Sequence, residues 1–185
     1  MLPGVILKTD RLELSTVSLK DCNENYLSWL NDLETNQYLE SGFITYTMEQ
    51  LYDFVKKQEL SDNSVFLAIR LKGSGKHIGN IKLDKISHIH RSAEYGILMG
   101  EKNEWGKGYA KEASVALIEY GFATLHLRKI YLGVINMNSA ALRLYENMGF
   151  KREGVLKEHF FHKSSGAYLD EIRMALFNYQ LNRNS

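Results

Sequence analysis

The sequence predicts a mixed α/β fold, and three observations carry that expectation. Short runs such as 11–17 and 92–99 alternate apolar with polar residues, the period of a strand. Longer runs such as 110–124 and 138–148 repeat apolar residues every three or four positions, the period of a helix. In the middle of the chain the two kinds take turns, strand–helix–strand–helix, and further strand-like runs flank them; that order builds a mixed sheet.

Taken in order, residues 11–17 (RLELSTV) read as a half-buried strand, and 19–33 and 47–60 read as helices. In the second helix Met48, Leu51, Tyr52 and Val55 share one stripe. Residues 64–71 form a short apolar strand, 72–76 (KGSGK) a hairpin turn, and 78–83 the returning strand. In 92–99, Ala93, Tyr95, Ile97 and Met99 lie on one face, with Glu94, Gly96 and Leu98 on the other. Gly96 inside a strand suggests a bulge or a close backbone approach. The helix 110–124 presents Ala110, Ala113, Leu117 and Tyr120 to one side. Residues 130–135 are continuously apolar but for one glycine, as a buried parallel strand should be. The helix 138–148 opens on Asn138, a good N-cap, and Gly149 is a fitting stop. Strands at about 150–161 and 167–177 complete a count of about seven strands and about four helices.

A chain of 185 residues favours one domain, 1–185, with a sizeable core. A formal net charge of +1 gives no bulk attraction to nucleic acid or to an anionic membrane. No apolar run approaches the roughly 18 residues of a membrane span, and residues 1–10 lack the apolar centre of a secretion signal. The single cysteine, Cys22, has no partner for an internal disulfide. A soluble, cytoplasmic protein is the expectation.

The most informative stretch is 100–110, GEKNEWGKGYA, set between the strand 93–99 and the helix 110–124. Two glycines two apart at such a handover let successive N–H groups turn toward one point, and the helix N-terminus adds partial positive charge. Backbone so arranged cradles phosphate oxygens. A plain strand-to-helix turn also uses glycines, so the loop alone leaves both readings open.

Four segments carry a resemblance: Glu94-Tyr95-Gly96-Ile97; Trp105-Gly106-Lys107-Gly108-Tyr109-Ala110; Asn136-Met137-Asn138-Ser139-Ala140; and Leu144 through Phe150 (LYENMGF). In order and spacing they resemble the GNAT superfamily of acyl-CoA N-acyltransferases, and Thr9-Asp10-Arg11-Leu12 with Lys151-Arg152-Glu153-Gly154 resembles its RimJ/RimL-like branch. The resemblance implies one GNAT-like domain with a splayed central parallel pair, and acetyl-CoA in the gap between strands 93–99 and 130–135. It implies cofactor binding by the loop Trp105, Gly106, Lys107, Gly108, Tyr109 and Ala110, with pyrophosphate contacts from the backbone of Lys107, Gly108 and Ala110. The family's usual Arg or Gln before the glycines is Asn103 here, which removes a side chain but not the backbone cradle. Ile97, Leu98 and Met99 are expected to offer backbone groups to the pantetheine arm, and Asn138 to contact it while also capping its helix.

For chemistry the resemblance places a general acid at Tyr145, where a phenol can protonate or hydrogen-bond the departing thiolate. Tyr145 also falls on the apolar stripe of its helix, so a core role competes. Transfer needs an uncharged amine, and an alkyl ammonium holds its proton to a pH near ~10. Glu94 is the candidate base or electrostatic support, with an ordinary solvated strand glutamate as the alternative.

Acceptor choice falls to the first helices and the last hairpin, which offer Trp29, Asn31, Asp32, Glu34, Tyr38, Glu40, Phe43 and the segment 159–168. Residues 86–174 resemble spermidine acetyltransferases; Trp29 to Asp32 and Tyr38 to Glu40 resemble amino-sugar acetyltransferases; the branch as a whole is named for protein N-terminal acetylation. A small-molecule or peptide amine is the expected partner, with a homo-oligomer possible for such relatives. The pairs His88/His90 and His159/His162 lack a further ligand set at metal spacing, so no metal is expected. Cys22 sits in a polar stretch with no histidine motif near it, which argues against a covalent route. The alternative function is a CoA-binding or regulatory module of the same fold without turnover.

Overall fold

A computed structural model of the protein describes residues 4–179, without the side chains of Glu40 and Ser41. Its eight strands are β1 (Ile6–Lys8), β2 (Leu12–Thr16), β3 (Val65–Leu71), β4 (His77–Ser87), β5 (Ser92–Met99), β6 (Lys129–Ile135), β7 (Lys151–His162) and β8 (Ala167–Phe177). They form one sheet in the order β1-β2-β3-β4-β5-β6-β8-β7, antiparallel throughout except for the parallel pair β5–β6. Five α-helices accompany them: α1 (Glu24–Asn31), α2 (Leu33–Asn36), α3 (Met48–Glu59), α4 (Tyr109–Ala123) and α5 (Ser139–Asn147).

The expected counts of about seven strands and about four helices each fall short by one. β1 is only three residues long, too short to show a period, and is recognisable only by its pairing with β2. The helix expected over 19–33 divides into a 3-10 turn, α1 and α2. Asn23 and Asp32 each turn a side-chain oxygen onto a backbone N–H three residues ahead, starting a new helix where periodicity alone would run on. Of the two readings of Gly96, a bulge or a close backbone approach, the bulge is absent, for Gly96 pairs regularly with Lys82. The irregularity lies farther along β4, between Asp84 and Ser87, with Lys85 at φ 51°.

Two apolar clusters cover the two faces of the sheet. On one face α4 and α5 pack Leu117, Ile118 and Tyr145 against Leu83, Ala93, Tyr95, Ile130 and Met174. On the other, α1 and α3 pack Tyr26, Trp29, Leu51 and Val55 against Phe66, Ala68 and Leu98. The alternation read in β5 therefore divides its side chains between the two cores.

Candidate active site

The parallel pairing of β5 with β6 lasts three steps, Ser92–Lys129, Ala93–Ile130 and Glu94–Tyr131, and then stops. From Tyr95 onward β5 keeps only β4, while β6 keeps only β8. The sheet is split into a gap at the carboxyl ends of its two parallel strands, where open α/β sheets hold their ligands. Gly100 N–H donates to the Ile78 carbonyl (3.0 Å), one step past the Gly79–Met99 pair. Alternate residues of an antiparallel ladder exchange bonds with the partner. Gly96 and Leu98 therefore turn their backbone groups to β4, and Ile97 and Met99 turn theirs to the gap. Leu98 does not offer the free backbone expected of it, whereas Ile97 does. The Met99 carbonyl accepts the Trp105 indole N–H at 2.8 Å.

The loop after β5 has the build of an anion cradle. Gly106 and Gly108 stand at φ 74° and 83°, the left-handed region open to glycine. A Cβ on Gly106 would meet nothing within 4 Å, so the approach to the loop is clear there. Gly108 is the N-cap of α4, whose first-turn amides have no partner within the helix. Lys107 is held by Glu104 at 2.8 Å.

Sequence reasoning missed what braces this loop. Arg11, just before β2, donates from Nη1 to the Lys107 carbonyl (3.0 Å) and from Nε to Glu112 in α4 (2.7 Å). Its guanidinium also lies 4.5 Å from the Tyr109 ring centroid. The other Glu112 oxygen accepts from the Thr9 hydroxyl (2.6 Å) and the Arg11 backbone N–H (2.8 Å). Burial raises the Glu112 carboxyl and these hydrogen bonds outweigh it, leaving it below the usual range. In a trans peptide the carbonyl and the next N–H point opposite ways, so the Arg11 brace aims the Gly108 N–H away from itself. The Thr9–Arg11 motif was legible, but a contact across nearly a hundred residues was not.

Tyr145, on α5, packs beside Tyr95, the first residue of β5 past the paired steps. Its ring meets Tyr95 edge-on at 5.8 Å and Phe150 at 5.9 Å between centroids. The ring is core, as its place on the apolar stripe predicts, while its hydroxyl makes no hydrogen bond among the described residues. The Tyr95 hydroxyl, by contrast, is 2.6 Å from Ser114 Oγ, which spends its own proton on the Ala110 carbonyl. Burial pushes the Tyr145 phenol up to about 12, so it is protonated throughout the neutral range. Asn138 caps α5 with Oδ1 on the Ala141 N–H (3.1 Å), and its Nδ2 makes no hydrogen bond among the described residues.

The opposite side of the gap carries charge. Glu94 sits at the last paired step, with one oxygen 2.6 Å from Lys85 Nζ and the other 3.4 Å from Arg173 Nη2. Of the residues expected to face the acceptor, Trp29 is only 4% exposed, packed where a Cβ on Gly100 would strike its ring. That tryptophan is core. Asp32 and Glu34 both bind Lys102, at 2.8 and 2.7 Å, and the Lys102 hydrogen bond leads in lowering the Asp32 carboxyl to about 2. Tyr38 stacks on His162 and Phe43 packs on Phe160 and Phe161, so these aromatics fasten α2 and the turn after it to the β7–β8 hairpin. Asn31 holds the Tyr46 backbone, and the expectation for the Glu40 side chain lies outside the described residues.

Among the described residues no helix is long and apolar enough to cross a membrane, and no cluster of three or more His, Cys, Asp or Glu is placed to hold a metal.

With this geometry in view, residues 11–151 match the model of the acetyltransferase (GNAT) domain. The chain belongs to the GNAT family. It is an acetyl-CoA-dependent N-acetyltransferase. It is 33% identical over 177 residues to spermidine N(1)-acetyltransferase of Vibrio cholerae, covering 92% of this chain and 98% of that one. To the enzyme of the same name from Escherichia coli K12 it is 31% identical, covering 89% and 88% of the two chains. Among solved structures, spermidine N-acetyltransferase from Vibrio cholerae in complex with CoA and spermine superposes with a TM-score of 0.82 at 29% identity, covering 91% of this chain and 96% of that one.

Proposed function

We propose that this enzyme acetylates a primary amine of a polyamine of the spermidine type, by direct attack of the amine on the acetyl-CoA thioester. The observation that carries the mechanism is the uncommitted Tyr145 hydroxyl at a gap whose other side bears charged groups. The similarity to two spermidine acetyltransferases over nearly the whole chain supports the acceptor class.

Acetyl-CoA supplies an activated acetyl group. Gly108 and the first turn of α4 would bind its phosphates through backbone N–H groups, and the edge of β5 at Ile97 would pair with the amide-bearing arm. Asn138 Nδ2 would donate to the same arm. The amine, having lost its ammonium proton, forms a bond to the carbonyl carbon; the carbon–sulfur bond breaks and sulfur leaves with the electron pair. Tyr145 meets that charge with its hydroxyl. A thiol ordinarily titrates near ~8.5, well below a phenol at about 12, so full proton transfer from Tyr145 is uphill. Its contribution is a hydrogen bond to the developing thiolate; the nitrogen, once bonded to the acetyl carbon, gives its second proton to solvent, and solvent supplies the proton that the released thiol carries. Glu94, with both oxygens engaged, supports the amine through its field, and the ammonium proton leaves to solvent.

The test is thiol release from acetyl-CoA with spermidine, spermine, a 4-amino-sugar nucleotide and peptides bearing free N-termini. Turnover confined to the polyamines is expected. Turnover on a sugar nucleotide or a peptide alone would overturn the acceptor assignment.

A further inference from the structure

Just past the last β5–β6 pair, the next residues on the amine-facing side of the two strands are Gly96 and Gly133, so neither edge of the gap carries a side chain there. Near Gly96 a Cβ would meet only the flexible Lys82 side chain, at 3.3 Å. At Gly133 the space is already taken, since a Cβ there would lie 1.9 Å from Glu171 Oε1. Glu171 stands on β8 opposite Ile135 and its carboxylate crosses diagonally over β6 toward the gap. Oε1 accepts from Arg173 Nη1 at 2.6 Å. Among the described residues, the polar partner near Oε2 is the exposed His159 ring, at 3.6 Å, beyond a hydrogen bond. Both oxygens of Glu94 are engaged, so Glu171 Oε2 is the carboxylate oxygen beside the gap with capacity to spare. Its side chain is 15% exposed, which shields a new charge pair from solvent more than a surface site would.

We propose that Gly96 and Gly133 frame the port by which the acceptor reaches the thioester, and that Glu171 binds an ammonium group of the acceptor at its rim. This rests on the reading above that the acceptor is a cationic amine. It separates two tasks, for Tyr145 acts on the leaving sulfur from one side of the sheet and Glu171 positions the attacking amine from the other. It also gives Gly133 a role, because any side chain there would dislodge the Glu171 carboxylate.

Two variants of the full chain test it by steady-state kinetics with spermidine. Glu171→Gln keeps the shape and removes the charge. Gly133→Ala keeps the charge but forces the carboxylate from its seat. Each is expected to raise KM for spermidine about tenfold, in the range for loss of one charge-assisted hydrogen bond, with KM for acetyl-CoA changed less than about twofold. Acetyl-CoA calorimetry and an unshifted Tm check that each variant is folded. A spermidine KM within about twofold of wild type in folded Glu171→Gln overturns the proposal. If the wild type turns over a different amine, the acceptor reading falls, and an unchanged KM for that amine in Glu171→Gln then overturns the port as well. A wild type silent on every amine overturns both.

Discussion

At the scale of single residues, hydrogen-bond accounting separates groups that look alike in sequence. Tyr95 and Tyr145 pack against one another beside the gap, yet the Tyr95 hydroxyl belongs to Ser114 while that of Tyr145 is uncommitted. Replacing Tyr145 by Phe should lower kcat of order 10²-fold, within the span for losing one donor to a developing negative charge, and leave the acetyl-CoA Kd unchanged by calorimetry. Because the phenol titrates only near 12, wild type and variant should share one pH–rate shape between pH 6 and roughly 10; a basic limb lost in the variant alone would show the phenol titrating earlier. Arg11 gives a second expectation. Only a planar guanidinium can span the Lys107 carbonyl and Glu112 at once. Arg11→Ala should raise KM for acetyl-CoA about tenfold with kcat nearly unchanged, and Arg11→Lys should not restore it. The motif in the sequence marked Tyr145 as a candidate. Arg11 and Glu171 act through contacts that exist only once β2 meets α4 and β8 crosses β6, and no local spacing encodes those.

At the scale of elements, the strand β5, its loop and α4 form one unit with a clear sequence signature: alternation, two glycines, then a helical stripe. Gly108 sits at φ 83°, where a β-branched side chain is strained. Gly108→Val should abolish acetyl-CoA binding in calorimetry while the protein still folds; normal affinity would remove the phosphate cradle from the account. Most strands and helices lie within a few residues of their sequence-based bounds because one face of each is buried and so must be periodic. β1 escaped for lack of length, and the first helix was read as continuous because Asn23 and Asp32 can sit in a helix or cap one with equal ease by composition. The acceptor wall was least legible. Trp29, Asp32 and Glu34 are the types that bind cationic amines, but here the tryptophan is core and both carboxylates hold Lys102.

At the scale of the whole molecule, the sheet is two blades, β1 to β5 and β6 to β8, joined along only three paired residues. Packing across the split has to supply what the missing ladder does not. Phe150, 1% exposed, touches Tyr95 of one blade and Tyr145 of the helix that follows the other. Phe150→Ala should cost about 3–5 kcal/mol in urea unfolding, with Tm down by about 10 °C. A loss below about 1 kcal/mol would mean that the blades are held elsewhere. The early end of the β5–β6 ladder has one more consequence. If the substrate's amide arm supplies the bonds that β6 withholds from Ile97, acetyl-CoA becomes in effect a ninth strand, renewed at every turnover. At 100 times its Kd a ligand of the folded state adds about 2.7 kcal/mol. The melting temperature of this enzyme would then follow the acetyl-CoA supply around it, and a starved cell would hold a looser protein than a fed one.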